Sequence, residues 1–173
     1  MDRLGFIHEK FDIKILILFV LRRLPAPVSF EELSELVLID DGFDYFDYTQ
    51  CLSELEQTGH VEKTGEGYKA TALGCNHGEA VETGIPYSVR SKAEAKAKPV
   101  IARMKRDALI STTHEPLRKG GFSVKLSLSD DMGKLITISM LAPDEEKAII
   151  MEKSFRAEAE DIYMKIIQML LPE

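Results

Sequence analysis

The segment at residues 44–68, DYFDYTQCLSELEQTGHVEKTGEGY, constrains the fold more than any other part of the chain. Apolar or half-apolar residues recur in it at spacings of three and four, which places them on one face of a helix. Asp44 is expected to cap the first turn of this helix, and Gly59 is expected to end it. The apolar face consists of Tyr45, Tyr48, Leu52 and Leu55.

A short β-hairpin is predicted directly after this helix. Two extended runs, residues 60–64 and 68–71, flank the tripeptide Gly65-Glu66-Gly67. Glycine adopts positive φ without steric cost, so the tripeptide suits a tight turn. A helix followed at once by a glycine-turned hairpin is the local pattern of a winged helix.

Two further helices are predicted before this segment. Residues 11–24 are apolar on every side of a helix in their middle part, as expected for a helix that others surround. After Pro25, the sequence Ser29-Phe30-Glu31-Glu32 is a capping box that starts a second helix, which ends near Leu38. The resulting order of helix, helix, turn, helix and hairpin is that of a winged helix-turn-helix domain. A short helix at residues 71–83 follows, and we place the domain boundary at residues 85–88.

The second half of the chain is predicted to be a small α+β domain. A capping box at Ser91 to Glu94 opens a helix that Pro99 either kinks or divides in two. Alternating apolar residues at 122–128 and a return strand at 134–141 form a hairpin, to which residues 109–115 add a third strand. A long helix begins near Pro143. Its apolar stripe consists of Ala148, Met151, Phe155, Ala159, Ile162, Ile166 and Met169.

The fold class is therefore α+β, with an N-terminal winged helix-turn-helix followed by a helix, two or three antiparallel strands and a long C-terminal helix. The predicted domains are residues 1–85, a winged helix-turn-helix, and residues 86–173, an α+β domain for dimerisation or sensing.

The charge distribution argues against simple attraction to nucleic acid. The chain has a net charge of −7. Up to Ile85, seven lysines and arginines stand against sixteen acidic residues, so the predicted winged helix is the acidic part. An acidic surface repels a phosphate backbone, so DNA contacts have to come from particular side chains.

The face of the third helix opposite its apolar stripe would read DNA bases. By helical projection it carries Phe46, Asp47, Gln50, Ser53, Glu54 and Gln57. The predicted DNA-binding residues are Gln50 and Gln57, which can bond the edge of adenine, and Ser53, with Lys63 and Lys69 on the wing as phosphate contacts. The same pattern is also typical of a solvent-exposed helix face without a binding role.

A basic run follows the domain boundary and offers a second source of positive charge. In a dimer it would approach DNA or the acidic module of the partner, although such runs are also typical of solvated helix faces. Its members are Arg90, Lys92, Lys96, Lys98, Arg103, Lys105 and Arg106.

Other function classes find little support in the sequence. No nucleophile elbow, phosphate-binding loop or paired catalytic carboxylates are present, so we expect neither an enzyme nor a cofactor. Cys75 and His77 could offer two metal ligands, but no second pair stands at zinc spacing, so we expect no metal site. The longest apolar run, residues 15–21, is too short to span a bilayer, and we expect a cytoplasmic protein.

Across most of its length the chain resembles a Gram-positive bacterial winged-helix family that is catalogued as a domain of unknown function. The resemblance rests on the apolar first helix, on DYF-YTQCLSEL-TG at residues 44–59, on Gly84-Ile85-Pro86-Tyr87-Ser88 and on IYMKII at residues 162–167 of the last helix. Members of this family are usually described as transcriptional regulators. The resemblance implies a winged-helix fold and a DNA-binding role, and it supplies no effector or operator.

These observations lead us to expect a homodimeric transcriptional regulator that binds double-stranded DNA and does not associate with a membrane. An unidentified small-molecule effector is compatible with this expectation. The alternative is a winged-helix protein-interaction module whose acidic recognition helix meets a basic partner and does not bind DNA.

Overall fold

The computed structural model describes residues 6–171, and these form two compact units divided between Met104 and Lys105. Both units combine helices with antiparallel strands, in agreement with the predicted α+β class. The first unit contains α1 (Lys10–Leu21), α2 (Phe30–Val37), α3 (Tyr45–Gln57), β1 (Val61–Thr64), β2 (Gly67–Ala70), α4 (Ala72–Val81), a 3-10 turn (Glu82–Gly84) and most of α5 (Tyr87–Ala108). The second unit contains β3 (Ile110–Pro116), β4 (Phe122–Asp130), β5 (Gly133–Ala142) and α6 (Glu145–Leu170).

Helix α1 lies at the centre of the first unit. All seven side chains at residues 15–21 are buried, and α2, α3, α4 and β2 pack around them. Helix α4 approaches α1 closely because it carries glycines where it meets its neighbours. A side-chain carbon at Gly74 would collide with the carbonyl of His60, and one at Gly78 would lie 3.1 Å from Cβ of Leu18. The prediction of a first helix enclosed by others is confirmed.

Side chains cap the helices of the first unit much as the sequence predicts. Ser29 Oγ accepts from the Glu32 amide at 3.2 Å, which confirms one half of the predicted capping box. The other half is wrong, because the Glu32 carboxylate pairs with Arg103 at 2.9 Å. Asp44 and Asp47 form a reciprocal capping box at the start of α3. Helix α3 ends where Gly59 adopts a φ of +74°, a conformation that costs glycine nothing.

The hairpin of β1 and β2 is extended by one residue from the loop before α2. Val28 N donates to Tyr68 O at 3.0 Å, and Tyr68 N donates to Val28 O at 2.8 Å. Val28 therefore acts as a one-residue third strand beside β2. Gly67 permits this approach, since a side chain there would collide with the Val28 carbonyl.

A carboxylate holds the first described residues against the loop after α2. The amides of Phe6, Ile7 and Gly42 each donate to Asp40 at 3.0 Å. Partial burial alone would raise the pKa of Asp40, but these hydrogen bonds and the nearby Lys92 lower it on balance. Ile7 is thereby fixed in the core, where it is fully buried.

Helix α5 begins earlier than predicted. It starts at Tyr87, after the Pro86 carbonyl accepts from the amides of Val89 and Arg90 at 3.1 Å. The capping box predicted at Ser91 is wrong, because the buried face of the helix already begins with Val89 and continues through Ala93 and Ala97. Pro99 lies inside this one helix.

The buried face of α5 belongs to the core of the first unit. Val89, Ala93, Ala97 and Met104 pack there with residues of α1, α2 and α3. The two compact units therefore divide later in the chain than the domain boundary predicted at residues 85–88.

The second unit is a three-stranded antiparallel sheet of order β3-β4-β5 with α6 on one face. Leu126 lies between Thr112 and Ile138 in the register, and this row belongs to the face that α6 covers. Phe155 and Ala159 of α6 are buried against it. The predicted third strand is confirmed as β3. The predicted apolar stripe of α6 does not stay buried to its end, because Met169 is 81% exposed.

Helix α6 is broken at Glu158, which leaves helical geometry with φ −125° and ψ 21°. Arg106 occupies the break and donates to the carbonyls of Arg156 and Ala157, each at 3.1 Å. Its guanidinium also binds the Glu160 carboxylate through two hydrogen bonds of 2.8 and 2.7 Å. A side chain inserted into the hydrogen-bond ladder is a recognised cause of helix kinks, so we attribute the kink to Arg106.

Tyr48→Phe is expected to raise the free energy of unfolding by about 1 kcal/mol. The Tyr48 ring is fully buried, and its hydroxyl has no hydrogen-bond partner among residues 6–171. Phenylalanine keeps the ring contact with Phe30 at 5.7 Å and removes the unpaired hydroxyl. Urea unfolding measures the effect, and Tyr87→Phe, on an exposed ring, serves as the matched control. A loss of stability in Tyr48→Phe would contradict the unpaired state of this hydroxyl.

Glu160→Gln is expected to destabilise the protein at neutral pH by no more than about 1 kcal/mol, since the ion pair is partly exposed. The hydrogen bond from Arg106 holds the pKa of Glu160 below its usual value of 4.5. A lowered folded-state pKa contributes stability that is present above the unfolded-state pKa and is lost as the pH falls through the folded-state pKa.

Urea unfolding of wild type and Glu160→Gln between pH 3 and pH 8 tests this dependence. The difference between the two proteins should be largest near pH 7 and should vanish at the acid end. Asp161→Asn removes the same charge from the neighbouring exposed position and should show little of this effect. A pH-independent difference would contradict the role of the ionised carboxylate.

Candidate nucleic-acid interface

The exposed side of α3 carries one uncharged stripe. Phe46, Gln50, Ser53 and Gln57 follow one another at spacings of four, three and four, and all are exposed. Residues at these spacings share a face of a helix. Three of the five predicted DNA-binding residues, Gln50, Ser53 and Gln57, therefore lie together. We call these four residues the α3 stripe.

Hydrogen bonds along the helix orient the polar groups of the α3 stripe. Gln50 Nε2 donates to Glu54 Oε1 at 2.9 Å, and Gln57 Nε2 donates to Ser53 Oγ at 3.2 Å. Each glutamine amide retains a further N–H and a carbonyl with unused lone pairs for a ligand. The bidentate pairing of such an amide with adenine needs one donor and one acceptor.

The acidic side chains of α3 are engaged with groups of the protein itself. Asp44 and Asp47 are bound in the capping box, where their charge also suits the helix dipole. Glu54 Oε2 lies 2.6 Å from Lys14 Nζ of α1. The hydrogen bonds from Lys14 and Gln50 lower the pKa of Glu54. Only Glu56, among the acids of α3, is exposed without a neutralising contact recorded in the described part of the chain.

The two lysines of the β1–β2 hairpin differ in their surroundings. Lys69 Nζ lies 3.0 Å from Glu62 Oε1, its cross-strand neighbour, so its charge is largely balanced. Lys63 Nζ lies 5.5 Å from the centre of the Tyr68 ring, a cation–π contact that leaves the positive charge in place. Lys69 is therefore in an ion pair, whereas Lys63 has no carboxylate partner among residues 6–171.

The basic run of α5 is largely used within the protein. Lys92 donates to the Ile39 carbonyl, Arg103 binds Glu32, and Arg106 binds Glu160. Arg90 lies 5.9 Å from the Tyr87 ring centre. Of the seven predicted members, Lys96, Lys98 and Lys105 remain as exposed lysines.

Two aromatic side chains at the start of α3 are exposed. Phe46 is 80% exposed, and Tyr45 is 49% exposed. The prediction that Tyr45 belongs to the buried face is wrong in degree: its ring packs at the edge of the aromatic cluster, 6.1 Å from the Phe30 ring and 6.3 Å from the Tyr48 ring, while Tyr48 fills the core. Cys51, which the sequence prediction left out of the buried face, is buried there with Tyr48, Leu52 and Leu55.

Metal-ligating side chains do not gather within residues 6–171. No group of three or more histidine, cysteine, aspartate or glutamate side chains is arranged there to hold a metal ion. Cys51 and Cys75 are both free thiols. In the same part of the chain, no helix combines the length and apolar character that crossing a membrane requires.

Two contributors to this surface escape prediction from the sequence. Lys14 occupies a position in a helix that reads as buried on all sides, and its pairing with Glu54 spans forty residues of sequence. Val28 stands alone between two prolines and a helix cap, so no alternation marks it as a strand. A lone lysine in an apolar helix is the one signal that points to an acidic partner.

The chain belongs to the family described as a domain of unknown function, DUF4364, whose match covers residues 13–170. No curated protein and no solved structure matches the chain.

Proposed function

We propose that the first unit is a winged helix-turn-helix domain that binds double-stranded DNA, and that the protein acts as a homodimeric transcriptional regulator. Helix α3 is the recognition helix in this proposal, and the hairpin of β1 and β2 is the wing. The α+β second unit would serve dimerisation or sensing. The resemblance to winged-helix regulators, noted from the sequence, agrees with this assignment.

The α3 stripe is the observation that carries the proposal. A stripe of two glutamines, one serine and one phenylalanine meets base edges without repelling phosphates. The first unit is acidic, but the carboxylates near the α3 stripe are engaged by the capping box and by Lys14. The Val28 bridge supports the same assignment, since a short strand between the first two helices, paired with the hairpin, completes the winged-helix order.

The small number of cations on this surface supports the dimer in this proposal. Lys63 is the principal wing cation, so one domain alone would bind DNA weakly. Two domains on adjacent half-sites multiply affinity, because the second contact becomes intramolecular.

The DNA hypothesis predicts opposite effects for two wing substitutions. Lys63→Glu should weaken binding to all sequences and reduce the salt dependence by about one phosphate contact per protomer. Glu62→Gln should strengthen binding, because it releases Lys69 from its ion pair. Gln50→Ala should change base preference with little change in the salt dependence.

These effects are measured with purified protein and fragmented DNA of its host at several salt concentrations, with the recovered fragments sequenced. Lys153→Glu makes the same charge change on α6 and is the control. Enrichment of a two-fold symmetric sequence is expected. Equal behaviour of Lys63→Glu, Glu62→Gln and the control would contradict DNA binding by the wing.

The alternative function is protein recognition by the same helix, and the exposed aromatic pair favours it. Phe46 and Tyr45 resemble the anchors that protein interfaces bury, and the acidic unit suits a basic partner. Asp47 and Glu54 are poor test positions, because their side chains support the fold.

Under this alternative, Phe46→Ala and Glu56→Lys should each abolish capture of a basic protein from a host lysate. Tyr87→Ala removes an equally exposed ring from α5 and should leave capture intact. If the wild-type protein captures no partner and the two α3 substitutions weaken DNA binding, the first function is supported and the alternative is contradicted. Capture that survives both α3 substitutions would contradict the alternative.

A further inference from the structure

A cavity of about 360 Å³ lies within the first unit where α1, α3 and α4 meet. Its floor is apolar and consists of buried side chains, among them Ile15, Leu18 and Leu55. Its other wall carries two histidines, His60 and His77. We call it the α1–α3–α4 cavity. Pockets of this size and mostly apolar lining with few polar groups are typical of sites for small organic molecules.

A chain of hydrogen bonds runs from the end of α3 into this cavity. Thr58 Oγ1 lies 2.8 Å from His60 Nδ1, and His60 Nε2 lies 2.9 Å from His77 Nδ1. Thr58 Oγ1 also lies 2.8 Å from the carbonyl oxygen of Glu54. All three side chains line the cavity.

The direction of the protons in this chain follows from the threonine. Two oxygens 2.8 Å apart need a proton between them, and a carbonyl has none, so Thr58 donates to Glu54 O. Thr58 Oγ1 must then accept from His60 Nδ1–H. A neutral His60 keeps its lone pair on Nε2, and His77 Nδ1–H donates to it. Neutral His77 is left with a lone pair on Nε2.

We propose that the α1–α3–α4 cavity binds a neutral, mainly apolar molecule of one or two rings that carries a hydroxyl or N–H donor. The apolar floor takes the rings, and His77 Nε2 accepts the hydrogen bond. An apolar cavity of about 150 Å³ suffices for benzene, so the larger volume here suits two fused rings. Because two hydrogen bonds fix His77 Nε2 as an acceptor, the cavity should bind a ligand with a hydroxyl or N–H group more tightly than a hydrocarbon of the same size.

The cavity also touches the proposed recognition helix. Leu55 belongs to α3, and Thr58 caps its C-terminal end. A bound molecule would therefore contact the helix that we propose to read DNA. Any effect of the ligand on DNA affinity rests on the proposed function, whereas binding of the ligand itself does not.

The probe pair is 2-naphthol and naphthalene, which differ only by the hydroxyl. The chain contains no tryptophan, so the fluorescence of 2-naphthol is read without that background. Titration of the full chain, without DNA, should give saturable one-site binding, with 2-naphthol bound about five- to tenfold more tightly than naphthalene, as one net hydrogen bond provides.

Two substitutions separate the apolar and polar parts of the site. His77→Leu should remove the preference of about five- to tenfold for 2-naphthol over naphthalene, while His8→Leu, the same change at another exposed histidine, should keep that preference. Ala80→Phe should fill the cavity and abolish binding of both probes. Ala95→Phe, at an exposed position of α5, is its control.

Equal affinity for the two probes, or binding that Ala80→Phe does not reduce, would overturn the proposal. Nitrogen chemical shifts of the histidine rings give an independent measurement: 2-naphthol should shift His77 Nε2 and leave both Nδ1 atoms protonated. Because DNA takes no part in these measurements, their failure would leave the DNA-binding proposal standing. Failure of DNA binding would likewise leave a positive result here intact.

Discussion

The burial of α1 on all sides is the constraint on which the first unit depends. Seven consecutive apolar side chains, at residues 15–21, are removed from water. They point to all sides of α1, so a single neighbouring helix cannot cover them. Helices α2, α3 and α4 and strand β2 therefore surround α1. Each of them turns one face inward, and the exposed face of α3 carries the α3 stripe as a result.

The same packing changes what the acidic composition means. The first unit is acidic by count, yet the carboxylates nearest the α3 stripe are bound by backbone amides or by Lys14. Lys14 stands at the edge of α1 that meets α3, so the helix that organises the core also neutralises the surface beside it. Net charge alone thus underestimates how well this face could approach an anion.

Local patterns in the sequence predict much of this fold. Alternation at residues 122–128 finds β4, while β5 is predicted as its return strand and β3 as an added third strand. The caps at Ser29, Asp44 and Gly59 lie where local propensity places them. The start of α5 is misplaced because Val89, not the local cap signal at Ser91, sets the buried face. Contacts that join distant segments carry no local signal. Lys14 with Glu54, Val28 with Tyr68, Arg106 in the break of α6 and the Thr58–His60–His77 chain all belong to this class.

The side-chain amides of the protein offer the most direct test of the proposed recognition surface. The chain contains three glutamines and one asparagine, so an NMR spectrum of its side-chain NH2 groups holds four pairs of signals. On addition of duplex DNA at low salt, the signals of Gln50 and Gln57 should move, while those of Asn76 on α4 and Gln168 on α6 should stay in place. Movement confined to Asn76 or Gln168, or none at all in any of the four, would contradict DNA recognition by α3.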